Sequence, residues 1–393
     1  MQGHDDDTPA SRALPNAAAH WPALSQRIAG VSEPWTRACT IASIKHRAVA
    51  SGTAGLWRIT APRRGANAPP VTVIVKRLAP AVDDSGRWPA TSDPSDPYYW
   101  GREAAAYEHA LFGDARAGIR TAHCYLADRQ ADAIDLYLED VAGQPGTRWH
   151  LDTYARAAER LGRFQAAALH RANDAVWLRG PAFFEQYLAR RAELYENAEE
   201  IVRAPVPYAD VESLRAFVTP LQQLWERRDR VLTFLDPLPP TRCHNDFWSP
   251  NLFDVPAGSI TETVAIDLAY AGLGALGHDA ANLAVDAVID FFVPAGDAPR
   301  LWALVAAGYR RGLATELSAD VVEAAERVME MTAALKFGWL IPATFRAAGN
   351  ETTIARIAQQ HGDPATFFRK RAAALRFAGG FIERSLAALG ALG

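Results

Sequence analysis

Lysine is the scarcest charged residue. Lys45, Lys76, Lys336 and Lys370 are the only ones in 393 residues that carry 41 Lys and Arg together. So few lysines make the position of each informative. Cysteine is scarcer still. Cys39, Cys124 and Cys243 lie far apart and form no CxxC pair, which argues against a disulfide framework or a structural zinc site. Reduced thiols and a cytoplasmic location are the expectation. There is also no excess of one charge: the formal net charge is -4. That balance leaves no electrostatic footprint for nucleic acid or an anionic membrane. Long apolar runs are missing too. The best candidate, residues 283–293, is interrupted by Asp286 and Asp290, so no membrane span is expected. The start is polar and acidic, and no secretion signal is expected from it.

What remains is ordinary globular material, 49% apolar and 22% charged, in a chain long enough for two lobes. Residues 1–18 read as a loose tail. Residues 53–60 and 71–78 are β-rich and are joined by a Pro- and Gly-rich stretch. The run from Val71 to Lys76 is β-branched and apolar until its last residue, which predicts a buried strand ending in a charge. Asp96 and Pro97 are a candidate N-cap and first position of a helix carrying Trp100, Ala104, Tyr107 and Leu111 on one face. Ile134, Leu136 and Leu138 alternate as a further strand. Gly143, Pro145 and Gly146 then break the chain. Helical pattern fills the stretch from Leu151 to about Arg230. It resumes near Pro299 and is interrupted at Gly349 and Gly362. Short strands and turns occupy residues 241–277. The domain expectation is therefore a tail (1–18), a β-rich N-lobe with one helix (19–141) and a mostly helical C-lobe (142–393).

The chemistry-bearing segment is Cys243-His244-Asn245-Asp246-Phe247-Trp248-Ser249-Pro250-Asn251-Leu252-Phe253. It contains H-x-D-x-x-x-x-N. Val264-Ala265-Ile266-Asp267 follows, a strand ending in an acid. Phosphoryl transfer uses these residue types. One carboxylate orients the attacking hydroxyl and accepts its proton, while an Asn and a second carboxylate hold the Mg²⁺ ions that neutralise phosphate oxygens.

With Gly277-His278-Asp279-Ala280-Ala281-Asn282-Leu283 added, the chain resembles the aminoglycoside phosphotransferase and choline kinase group of kinase-like enzymes. The likeness extends, more weakly, over nearly everything after the tail. It implies an α+β, protein-kinase-like fold: a small antiparallel-sheet N-lobe and a mostly helical C-lobe. It implies Asp246 as catalytic base, Asn251 and Asp267 as Mg²⁺ ligands, His244 as a brace of the loop, and Asp279 as the tie on its backbone. Asn245 stands where the family often has Gly, and Leu268 where it often has an aromatic residue. Neither change removes a ligand or the base.

The same resemblance places an ATP-phosphate lysine on a strand like that of Lys76. Glu103 is the best helical partner for it, because Trp100 and Tyr107 put it beside the apolar stripe. Glu108 is the alternative. Ser51, Gly52 and Thr53 form a small-residue turn whose amides could approach phosphates, although it is neither GxGxxG nor a Walker A loop. Glu139 and Val141 fall in the linker through which the family binds adenine. Asp286 and Asp290, four apart, are candidates for an amine-bearing acceptor, with Trp339 as a possible pocket wall.

The expected activity is ATP- and Mg-dependent phosphorylation of a small-molecule hydroxyl, with GTP as the alternative nucleotide. The acceptor could be an antibiotic, an amino-sugar, a sugar or a related metabolite. Two rivals stand beside it. One is a nucleotide-binding module without catalysis. The other is a protein kinase, against which the absence of DFG and APE motifs counts. The sequence does not fix an oligomeric state.

Overall fold

The structure is a computed structural model. It describes residues 14, 16–36, 38–45, 52–63, 68–80, 90–96, 98–169, 176–178, 183–235 and 240–391. The chain divides into two compact units. The first comprises residues 1–111, 121–142 and 266–270, and the second residues 112–120, 143–265 and 271–393.

The first unit is built on an antiparallel five-stranded sheet in the order β1 (Thr40–Ser43), β2 (Thr53–Ala61), β3 (Val71–Leu78), β6 (Ile134–Glu139), β5 (Cys124–Arg129). Strand side chains alternate between faces, and both faces of β3 are used. Val73 and Val75 join Ile59 and Tyr137 beneath helix α1 (Ala17–Ala29), which buries Trp21 and Leu24 against them. On the other face Leu78, Leu136 and Leu138 pack with Ala104 of helix α2 (Arg102–Glu108) and with Trp100 and Tyr107. Lys76 lies on this second face, paired in register with Leu56 and Leu136. The strand runs two residues past it.

Two local expectations differ from what forms. Helix α1 opens at Ala17, inside the stretch read as tail. It buries Ala17, Trp21 and Leu24, and covering the sheet stabilises it. Helix α2 starts at Arg102 with Gly101 as its cap, not at Asp96. The Asp96 carboxylate accepts a bond from the Tyr98 amide at 2.7 Å, a local side-chain turn that competes with capping.

The second unit is mostly helical. A small sheet, β4 (Ile119–Thr121), β10 (Ile260–Ala265), β9 (Leu252–Ala257) and β7 (Gln144–Pro145), and the pair β8 (Thr241–Cys243) and β11 (Gly272–Gly274) carry its loops. The helices are α3 (Leu151–Ala168), α4 (Phe183–Ala189), α5 (Ala192–Glu196), α6 (Ala198–Arg203), α7 (Ala209–Glu212), α8 (Val218–Glu226) and α9 (Arg228–Leu235), then α10 (His278–Ile289), α11 (Ala298–Leu313), α12 (Ala319–Gly338), α13 (Leu340–Ala348), α14 (Glu351–His361) and α15 (Pro364–Ala391).

Helices α3 and α11 approach backbone to backbone. A Cβ at Gly308 or Gly312 would collide with the carbonyl oxygens of Ala155 and Glu159. Only glycine permits that approach, and it brings Gln165 of α3 against Tyr309 of α11. Among the described residues, no helix is long and apolar enough to cross a membrane.

Candidate active site

In the first unit, three residues far apart in sequence meet on the inner face of β3. Lys76 Nζ lies 2.6 Å from Glu103 Oε2 and 2.8 Å from Asp267 Oδ1. Lys76 and Glu103 are buried, while the Asp267 side chain is 42% exposed. Asp267 has φ 61°, a left-handed conformation rarely held by a non-glycine residue and often found at functional sites. Burial works against the Lys76 charge, yet the Asp267 and Glu103 carboxylates outweigh it and its pKa is raised. Burial pushes Glu103 up to about 7 despite the neighbouring ammonium. The alternative partner, Glu108, instead holds the exposed Arg129 through bonds of 3.0 and 2.8 Å.

Gly52 and Thr53 line an open pocket with Glu103, Trp100, Tyr98 and Tyr270. Ser51 lies outside the described residues. Glu139 closes on His123: its amide donates to the His123 carbonyl, and its carboxylate accepts the His123 amide at 3.0 Å. Val141 is half-buried. Between them, Asp140 is gripped by Arg58 through bonds of 2.9 and 3.0 Å.

In the second unit, the segment after β8 turns sharply at Asn245, whose φ is 63°. That explains how Asn serves where glycine is frequent, since Asn tolerates this region better than most residues. The turn is clamped by Asp279, whose two carboxylate oxygens accept the amides of His244 and Asn245, each at 2.8 Å. His244 is fully buried, with its ring edge-on to Phe112 at 5.4 Å.

Asn251 Nδ2 donates to the Asp246 carbonyl at 3.1 Å and to Asp246 Oδ2 at 3.0 Å. The pair is thus joined directly. Asp279 is itself held by Gln165 Nε2 at 3.2 Å. The Gln165 Oε1 accepts from Tyr309 at 2.6 Å, and the Tyr309 hydroxyl accepts the Gly277 amide at 2.9 Å. Burial pushes Asp279 up to about 6, although the two amides oppose the shift.

Sequence reasoning missed the Gln165–Tyr309 chain, because neither residue sits in a motif. It also gave no role to Lys336, although the shortage of lysines was a signal. Lys336 Nζ donates to Asn282 Oδ1 and to the Asn245 carbonyl, and lies 5.4 Å from the Tyr187 ring centre. Asn282 in turn donates to Asp286 at 2.6 Å. Burial raises the Asp286 pKa well above normal, against the pull of Lys336. Asp290 closes the end of α10, 3.8 Å from Arg371. Trp339 Nε1 donates to the Tyr187 hydroxyl at 3.0 Å.

The sheet-bearing first unit and helical second unit have the protein-kinase-like fold, in the branch that also includes small-molecule kinases. A choline kinase from Cryptosporidium parvum matches at 12% identity over 93% of this chain and 95% of that one, with a TM-score of 0.52. An aminoglycoside phosphotransferase from Alicyclobacillus acidocaldarius matches at 15% identity over 99% of both chains, at 0.54. A microcompartment-associated aminopropanol kinase matches at 14% identity over 90% and 94%, at 0.50. At such identities the likeness speaks for the fold. No curated protein sequence matches the chain. The phosphotransferase enzyme family model matches residues 83–317, more than half of the sequence. The chain belongs to that family.

Proposed function

We propose that this phosphotransferase moves the γ-phosphoryl group of ATP, with Mg²⁺, to a hydroxyl of a small molecule. The observation that carries the reading is the meeting of Lys76, Glu103 and Asp267. A buried ammonium held by a helical carboxylate, beside a second carboxylate that stays partly exposed, is the equipment of a nucleotide-phosphate site.

Asp267 and Asn251 would be the Mg²⁺ ligands, since a carboxylate and an amide oxygen are the hard oxygen donors that Mg²⁺ prefers. When bound, the metal would neutralise charge on the phosphate oxygens. Lys76 would contact the phosphates, and Glu103 would hold its side chain extended. Asp246 would orient the acceptor hydroxyl and take its proton. Asn251, bonded to Asp246, fixes the carboxylate rotamer in advance, so little reorganisation remains for the reaction. Asp279 keeps the loop in its turn, and His244 packs beneath it as a brace. Gly52 and Thr53, with Ser51, would lie near the phosphates, and the 139–141 linker near the base. Three free thiols suit a cytoplasmic enzyme.

The test is Asp246→Asn. It should fold like the parent, bind Mg-ATP, and lose turnover by roughly 10²-fold or more, the scale of a removed acid-base group. ADP release at the parental rate would remove Asp246 from the mechanism.

A further inference from the structure

The region around Asp246 holds the two features by which a protein usually binds an ammonium group, carboxylates and aromatic faces. Among the described residues the protein's own cations already occupy both. Lys336 reaches Asn282, which holds Asp286, and its ammonium faces the Tyr187 ring at 5.4 Å. Arg371 lies 3.8 Å from Asp290 and covers the rings of Phe291 at 5.1 Å and Phe367 at 5.5 Å. Arg191 stacks on Tyr187 at 3.5 Å and faces Trp339 at 4.7 Å.

Lys336 borders the Asp246 loop directly, and Phe291 does so through its neighbour Phe292. Lys336 bonds the carbonyl of Asn245, the residue before Asp246. Phe292 lies 6.4 Å from Trp248, whose amide donates to the Asp246 carbonyl at 3.0 Å. An incoming ammonium would have to displace a cation already seated on each ring and beside each acid. It would lose its hydration and meet rings and acids that already hold a cation.

We infer that the acceptor is an alcohol without an ammonium group, either uncharged or anionic, because Lys336, Arg371 and Arg191 fill the amine-recognition features beside Asp246. The inference rests on the phosphotransfer reading above and narrows it. Asp286 and Asp290 act on this account as counter-charges for internal cations, not as acceptor ligands.

Titration calorimetry on the full chain separates the two readings. Mg-ADP is injected first, and absence of binding would sink the phosphotransfer reading itself. Choline and kanamycin are then injected as amine probes into the Mg-ADP-loaded protein. Neither should bind more tightly than about 1 mM, and saturable binding below that value by either probe overturns the charge class while leaving phosphotransfer intact. Arg371→Met uncovers the rings of Phe291 and Phe367, and should tighten choline binding by about tenfold, the range of a desolvated cation–π contact. Arg191→Met uncovers Trp339 and leaves Tyr187 to Lys336 alone, and serves if the first variant fails to fold. A folded variant of either kind that gains no choline affinity also overturns the inference.

Discussion

The two units hold their functional side chains by different physics. In the first, Lys76, Glu103 and Asp267 come from a strand, a helix and a turn, and they are joined side chain to side chain by charge. In the second, the loop from His244 to Asn251 is local in sequence, and Asp279 holds it by its backbone amides. The first arrangement therefore depends on which charges are present. The second depends on whether the chain can keep an unusual backbone shape. Substitutions that alter charge should damage the first unit most, and substitutions that alter backbone freedom should damage the second.

The largest stability effect should come from Lys76→Met. Removing one member of a buried charge cluster leaves carboxylates uncompensated, at a cost of about 3 kcal/mol or more. The cost should shrink as pH falls. Burial already lifts Glu103 to about 7 from an ordinary 4.5 even with the Lys76 ammonium pulling it down; without that ammonium it rises further, so just above pH 7 the folded variant holds a proton that folded wild type has lost. Denaturant melts at pH 8 and pH 6 measure the difference. An equal loss at both would mean that Glu103 is not the group left stranded.

Next in size is an acid effect in the second unit. Burial, with Lys336 nearby, holds His278 down to about 3 from 6.5. Below pH 6.5 the unfolded chain gains a proton that the folded chain excludes. Stability is therefore lost as pH falls toward 3, at up to about 1.4 kcal/mol per pH unit. Asp279 works the other way between about 6 and 3.8, so wild type alone shows only the net slope. His278→Gln isolates the histidine: from pH 6.5 to 4.5 it should lose about 2 kcal/mol less than wild type. Parallel stability curves would refute the buried neutral imidazole.

Smaller effects test the backbone. Asn245→Gly should be tolerated within about 1 kcal/mol and keep activity, since glycine accepts φ 63° without strain. Asn245→Val should cost about 1–3 kcal/mol, because a β-branched residue is strained there. Thermal melts of the two variants measure it, and equal losses would mean the turn conformation is not what limits this position. Least of all, Glu108→Gln should change stability by under about 0.5 kcal/mol, as expected for its exposed pair with Arg129. A loss as large as that of Lys76→Met would contradict the assignment of Glu103, and not Glu108, as the lysine's partner.

Much of this was legible before any coordinates. The H-x-D-x-x-x-x-N spacing is local, so its residues meet in any fold that makes the turn. The alternation in β3 placed Lys76 on a buried strand. Periodicity favoured Glu103 over Glu108 by its place beside the Trp100 and Tyr107 stripe, although α2 begins six residues later than its apparent cap. Gln165, Tyr309 and Lys336 were silent because each acts through a partner more than fifty residues away. Local pattern carries no trace of such pairings. Ser51 lies outside the described residues.

The sequence by itself determined the reaction class of the chain's family, the loop that carries Asp246 and Asn251, and the order of sheet before helices. These follow from residue type, short spacing and hydrophobic period, which survive in any conformation. Only the tertiary structure decided that Asp267 joins Glu103 on Lys76, how Asp279 is itself held, and that Lys336 and Arg371 stand near Asp286 and Asp290. Those facts depend on which helix faces meet, and glycine-to-backbone contacts such as Gly308 on Ala155 set that meeting through packing that no single segment encodes.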